Sequence, residues 1–191
     1  MLSVVVLATG SLVIAATILS LLAIFLYILI RFRKWQFSAG AVVALAHDAL
    51  FVIASFAIIR VFGVSFEIDQ VYIAAILTVI GYSINDTVIV FDRIREYLGL
   101  ATSSDRKKIF NNAINSTLNR TIITSGTVLL VVLALLIFGG EVLRGFSFAL
   151  LVGVLAGTYS SIFMAAPIVL DFDKINAKKA EPKPEPKRAV A

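Results

Sequence analysis

From Leu2 to Ile30 the chain carries no charged residue. As a helix this run reaches about 44 Å, more than the roughly 30 Å hydrocarbon core of a bilayer demands. No basic region precedes it and it is too long for a secretory signal, so it reads as a membrane span. Four more apolar runs follow, separated by short charged segments. With 60% hydrophobic residues and a mean hydropathy of +0.98, the chain is far from the composition of a water-soluble domain.

The expected fold is an all-α integral membrane protein with five transmembrane helices. The pattern places a transmembrane domain at 1–172, with spans at about 2–30, 37–59, 71–91, 121–138 and 145–170. Phe110, Ile114 and Leu118 recur at helical spacing within a polar stretch, which predicts an amphipathic helix at the membrane interface over about 105–119. From 173 to 191 the composition turns to Lys, Glu, Pro and Ala, and a disordered, solvated tail is expected there.

The basic residues fix an orientation. Arg31, Arg33 and Lys34 follow the first run, Arg93 to Lys108 the third, and Lys174 to Arg188 the last, whereas the opposite side holds only Arg60 and Arg144. The positive-inside rule puts the carboxyl terminus in the cytoplasm and the amino terminus outside. A first span reached from outside with no charge to orient it suggests a chain that lacks its natural beginning. The net charge of +5 is explained by topology and anionic lipid headgroups, so no nucleic-acid partner is expected. Cysteine is absent and histidine occurs once, which leaves no thiolate chemistry and no basis for a metal site; no cofactor is expected.

Charge inside the apolar runs is the functional signal. Asp86 lies within the third run, and an aspartate at mid-membrane costs roughly 2.5–3.5 kcal/mol, so it needs a partner. Thr78, Tyr82, Asn85, Asp86 and Arg93 share about one third of the helix circumference, a stripe that lipid cannot satisfy. Arg120 enters the fourth run from the same side at similar depth. Pairing would offset part of the burial cost, and a carboxylate that gains and loses such a partner can take up and release a proton. A static ion pair, or an Arg120 that snorkels to lipid phosphate, is the alternative. His47 and Asp48 sit about 15 Å into the second run. As helix neighbours they point about 100° apart and are expected to need separate neighbours, so a buried polar contact that fixes packing is favoured over a relay.

Gly153 and Gly157, and more loosely Gly40 and Ala44, have the spacing that lets membrane helices approach closely. Pro167 should break the ladder near the end of the fifth span, one to two turns after Ser160 and Ser161.

The stretch Gly81-Tyr82-Ser83-Ile84-Asn85-Asp86-Thr87-Val88-Ile89-Val90-Phe91-Asp92-Arg93-Ile94-Arg95-Glu96 closely resembles the signature of the SecF family, the membrane subunits of the bacterial SecD/SecF protein-export accessory complex. Three further stretches resemble SecF motifs in the same order. They are Ala44-Leu45-Ala46-His47-Asp48, Asn115 to Thr121 with Thr124-Ser125, and Gly153 to Phe163. The family is similar to the RND family of proton-driven transporters, which implies an RND-like half-bundle. It has six spans with a periplasmic domain between the first two, so this chain is expected to lack the first span and that domain.

The resemblance implies a multi-pass protein of the bacterial cytoplasmic membrane that uses the proton motive force to assist polypeptide export, as a translocase subunit and not an enzyme. The implied partners are a SecD-like subunit, the SecYEG channel, exported unfolded polypeptide and the lipid bilayer. It implies a proton relay at Asp86 and Arg120, with His47, Asp48, Asn85 and Tyr82 as weaker candidates. The rival readings are an RND-type exporter of small molecules and a structural subunit without proton coupling. An intramembrane aspartyl protease built on Asp48 and Asp86 is disfavoured because their depths differ by several ångströms.

Overall fold

The computed structural model describes residues 2–64, 66, 70–101 and 105–180. Among them the chain is all helical. Helix α1 spans Leu2–Phe32, α2 Trp35–Val61, α3 Gln70–Leu100, α4 Arg106–Phe138 and α5 Gly140–Ser160; a π-helical turn, Ser161–Ala165, then leads into α6, Ala166–Ala180. Four stretches are long and apolar enough to cross a membrane: α2, α3, α4 and the run Gly140–Asp173. A shorter apolar stretch, Ile18–Phe32, lies within α1.

The ends of the helices follow local chemistry. Arg33 takes a left-handed backbone, φ 54°, and turns the chain from α1 into α2. Gly63, φ 82°, closes α2, where the N–H groups of Phe62 and Gly63 reach back to the carbonyls of Ile59 and Arg60. Asp105 caps α4 by accepting from the N–H groups of Lys107 and Lys108 at 3.1 and 3.3 Å. Gly139 and Gly140, the latter at φ 74°, reverse the chain between α4 and α5.

Helix α3 packs against α2, α4 and α5, while α1 lies against α2 and barely touches α3. The closest approach, between α3 and α5, is made possible by the two glycines expected to mark a contact face. A methyl group on Gly157 would come within 2.9 Å of Ser83 Cβ, and one on Gly153 would overlap Val79. Gly40 likewise lets α2 rest on the carbonyl of Ala165 in the π turn.

Two apolar clusters form the core. One joins Phe32, Phe37, Phe91 and Phe110 with Ile94 and Val169; the other joins Phe56, Tyr72, Val79 and Ile80 with Leu45 and Ala149. Along α3 the second cluster occupies 72–80 and the first 90–94, and buried Ser83, Asp86 and Thr87 lie between them. A polar layer therefore divides the core.

Several element boundaries differ from expectation. The interfacial helix at 105–119 and the span at 121–138 are one uninterrupted helix, because no proline or glycine stands between them and the buried face continues from Phe110 through Ala113 and Thr117 to Thr121. The last span begins at Gly140, not Gly145, since the glycine pair alone suffices for the turn. Helix α3 continues past Phe91 to Leu100, where Arg93 and Glu96 pair at 2.8 Å. The tail expected to be disordered from 173 is helical to Ala180, as it holds good helix formers and no proline before Pro182. Residues 181–191 lie outside the described residues. At Pro167 the ladder is interrupted locally, as expected, while the helical run continues through α6. Pro167 has no N–H for the carbonyl of Phe163, and the π turn just before it takes up the mismatch.

Candidate functional site

The polar layer is built from side chains on four helices. Asp48 of α2 is fully buried, with 0% exposure. Its Oδ2 accepts hydrogen bonds from Ser83 of α3 at 2.5 Å and Ser160 of α5 at 2.7 Å, and its Oδ1 lies 3.1 Å from His47 Nδ1. His47 and Asp48 thus contact each other, contrary to the expectation of separate neighbours. The 100° between adjacent residues separates the Cβ directions, but a bent-back imidazole spans that gap. The same histidine stacks on Phe51, with ring centroids 5.9 Å apart.

Asp86 lies three residues beyond Ser83 and is 3% exposed. Its surroundings differ: Asp86 Oδ2 is buried without a hydrogen-bond partner in the chain. The Ser125 hydroxyl of α4 acts on both Asp86 and Tyr82, and Ser125 is held by Thr158 of α5 at 2.8 Å. Thr121 Oγ1 is also buried and unpartnered, and Tyr82 Oη is buried with the Ser125 hydroxyl acting on it. The wall between α3 and α4 therefore concentrates polar atoms whose bonding capacity the chain does not use.

Arg120 is exposed on α4, and its charge acts on Asp86. Among the described residues no ion pair within 4 Å joins them, so the direct pairing expected from sequence is absent from this conformation. Asn85 points outward and is exposed. Of the six residues singled out from sequence, the structure gathers Asp86, Tyr82 and Arg120 at the α3–α4 wall and His47 with Asp48 on α2. It leaves Asn85 on the surface. Ser83, Ser125, Thr158 and Ser160 were not singled out as site residues, although each falls within a family-like stretch.

On α3 the exposed residues Ala74, Leu77, Thr78, Gly81 and Asn85 share a face, and on α4 Ser116, Leu118, Asn119 and Arg120 are exposed, so polar groups stand among apolar ones on both helices. Lipid cannot satisfy an amide or a guanidinium at membrane depth.

Residues 7–175 match the family model for the protein export membrane protein SecD/SecF, C-terminal. The chain is 60% identical over 153 residues to the protein translocase subunit SecF of Rhodothermus marinus, covering 80% of this chain and 49% of that protein. It is 46% identical over 155 residues to the SecF of Vibrio alginolyticus, covering 81% and 47%. A crystal structure of SecDF in a super-membrane-facing form superposes with a TM-score of 0.74 at 42% identity, covering 84% of this chain and 21% of that one. SecDF from Thermus thermophilus, described as a translocon-associated membrane protein, superposes at 0.70 with 43% identity, covering 78% and 20%. The chain spans about half the length of the curated relatives it matches and about a fifth of the SecDF chains. It belongs to the SecD/SecF family of protein export membrane proteins, in its SecF group.

Proposed function

We propose that the chain is the membrane portion of a Sec translocase subunit that uses the proton motive force to assist export of polypeptides, with Asp86 as the group that takes up and releases the proton. The observation that carries this reading is a buried carboxylate oxygen, Asp86 Oδ2, with no partner in the chain, set in a polar layer between two apolar clusters. A carboxylate retained only to fix packing would be expected to have its oxygens satisfied. Arg120 supplies a nearby positive charge without neutralising Asp86 by contact, so small movements of α4 against α3 change what the carboxylate feels.

In this reading five helices cross the bacterial cytoplasmic membrane as an RND-like half-bundle, with the amino terminus periplasmic and the carboxyl terminus cytoplasmic. The exposed polar groups on α3 and α4 support a SecD-like subunit as the other half, since a protein surface can satisfy groups that lipid leaves bare. The SecYEG channel and exported unfolded polypeptide complete the set of partners. His47, Asp48, Asn85 and Tyr82 stand outside the titrating step, although Tyr82 lines the same wall.

The test is export by a complete complex that carries Asp86→Asn, a change that keeps size and removes titration. The expected outcome is a loss of about tenfold or more in the proton-driven part of export, equivalent to about 1.4 kcal/mol or more of barrier, with assembly intact. Unimpaired proton-driven export would leave a structural subunit as the correct reading.

A further inference from the structure

Asp48 and Asp86 are buried carboxylates in the same layer, but only Asp48 has both oxygens engaged. Its three partners belong to different parts of the fold. Ser83 stands one helical turn before Asp86 on α3, and the Thr87 hydroxyl binds the Ser83 carbonyl at 3.1 Å, tying that turn together. Ser160 is the last residue of α5 before the π turn. His47 has a side chain 33% exposed and lines an apolar groove of about 540 Å³ between α2 and Met164 of the π turn.

We infer that Asp48 is a positioning residue for proton coupling: through Ser83 it fixes the turn of α3 that carries Asp86, and through Ser160 it holds α5 at the start of the π turn. The inference rests on the reading of Asp86 given above. Two hydroxyls from two helices converge on one oxygen, and Gly157 brings α5 against Ser83, so neither helix can shift at this level without breaking a bond to Asp48. His47 occupies the remaining oxygen, with Nδ1 3.1 Å from Oδ1. With Ser83, Ser160 and His47 all bound to it, Asp48 holds the frame in which Asp86 works.

The experiment uses the complete complex in vesicles and compares proton-driven with proton-independent export, both normalised to assembled complex. Ser83→Ala and Ser160→Ala each remove one hydroxyl and are expected to lower the proton-driven part roughly tenfold while leaving the proton-independent part near normal, as befits a lost hydrogen bond to a buried carboxyl group. Asp48→Asn still presents one oxygen to both hydroxyls and an amide N–H to His47, and is expected to stay within about threefold of the native chain. Asp48→Ala is expected to fall with the serine variants, and if it fails to assemble the serine variants decide alone.

Several outcomes would overturn the inference. Asp48→Asn as inactive as Asp86→Asn would make Asp48 a titrating member of the relay. Serine variants that lower both parts of export equally would leave Asp48 a packing residue only, and serine variants without effect would remove its role altogether. If Asp86→Asn itself leaves proton-driven export intact, the underlying reading fails, which is distinguishable from failure of the Asp48 inference by that variant alone.

Discussion

Asp48 and Asp86 are both withdrawn from solvent, and they differ in what meets their oxygens. Asp48 is saturated by Ser83, Ser160 and His47, whereas Asp86 keeps an oxygen with no partner in the chain. Such an unequal pair is what a membrane site needs if one carboxylate is to hold a frame and the other is to change state. The frame depends on close backbone approach. Gly157→Val would force atoms into the space of Ser83, and Gly153→Val into that of Val79, so each is expected to destabilise the detergent-solubilised complex by about 1–3 kcal/mol, read as a lowered Tm. An unchanged Tm would mean that α3 and α5 are not in contact there. At this scale the charged residues were legible from sequence, because an aspartate in an apolar run is costly and rare. The hydroxyls were not. Serine and threonine in helices commonly bond their own backbone, as Ser55 does to Val52 and Thr78 to Ala74; Ser160 also lies 3.3 Å from the Gly157 carbonyl, and only the packing of α2, α3 and α5 brings Ser83 and Ser160 to Asp48 as well.

Among the elements, α4 and the last helical run carry the design. Helix α4 is uninterrupted from Asp105's cap to Gly139, so a shift at its amino-terminal end is expected to reach Ser125, beside Asp86. Asp105→Ala removes the cap and is expected to cost about 1 kcal/mol of stability. Gly140→Ala places a side chain at φ 74° and is expected to cost about 1–2 kcal/mol, detectable by the same thermal measurement; no change in either variant would show that these ends do not limit stability. Four of the five expected runs fall on helices long and apolar enough to cross a membrane, and the first falls on a shorter apolar stretch, Ile18–Phe32, because hydropathy over some twenty residues is a strong signal. Boundaries were less legible. Polar residues between 111 and 120 suggested a break, yet helical hydrogen bonding needs no apolar side chains, and nothing there stops it. In the same way, the change of composition after Asp171 does not end the helix, which continues to Ala180.

For the whole molecule, two apolar clusters separated by a polar layer form a membrane domain whose middle is wired and whose ends are greasy. The cluster around Phe32, Phe37 and Phe91 is bolted to the charged end of α3, where Arg31 meets Asp92 at 3.2 Å and Arg95 donates to the Arg31 carbonyl at 3.4 Å. Helix α6 is joined to α4 by Arg106 and Asp173 at 3.5 Å. Movement that accompanies a change at Asp86 is therefore expected at the α3–α4 wall, where polar atoms are unpartnered. Position 86 is proposed to carry the proton. Proton flux through vesicles containing the complete complex measures it directly: the native chain is expected to conduct, Asp86→Asn to reduce flux about tenfold or more, and Asp86→Glu to retain a substantial part. Equal flux from the native and Asp86→Asn complexes would contradict the account.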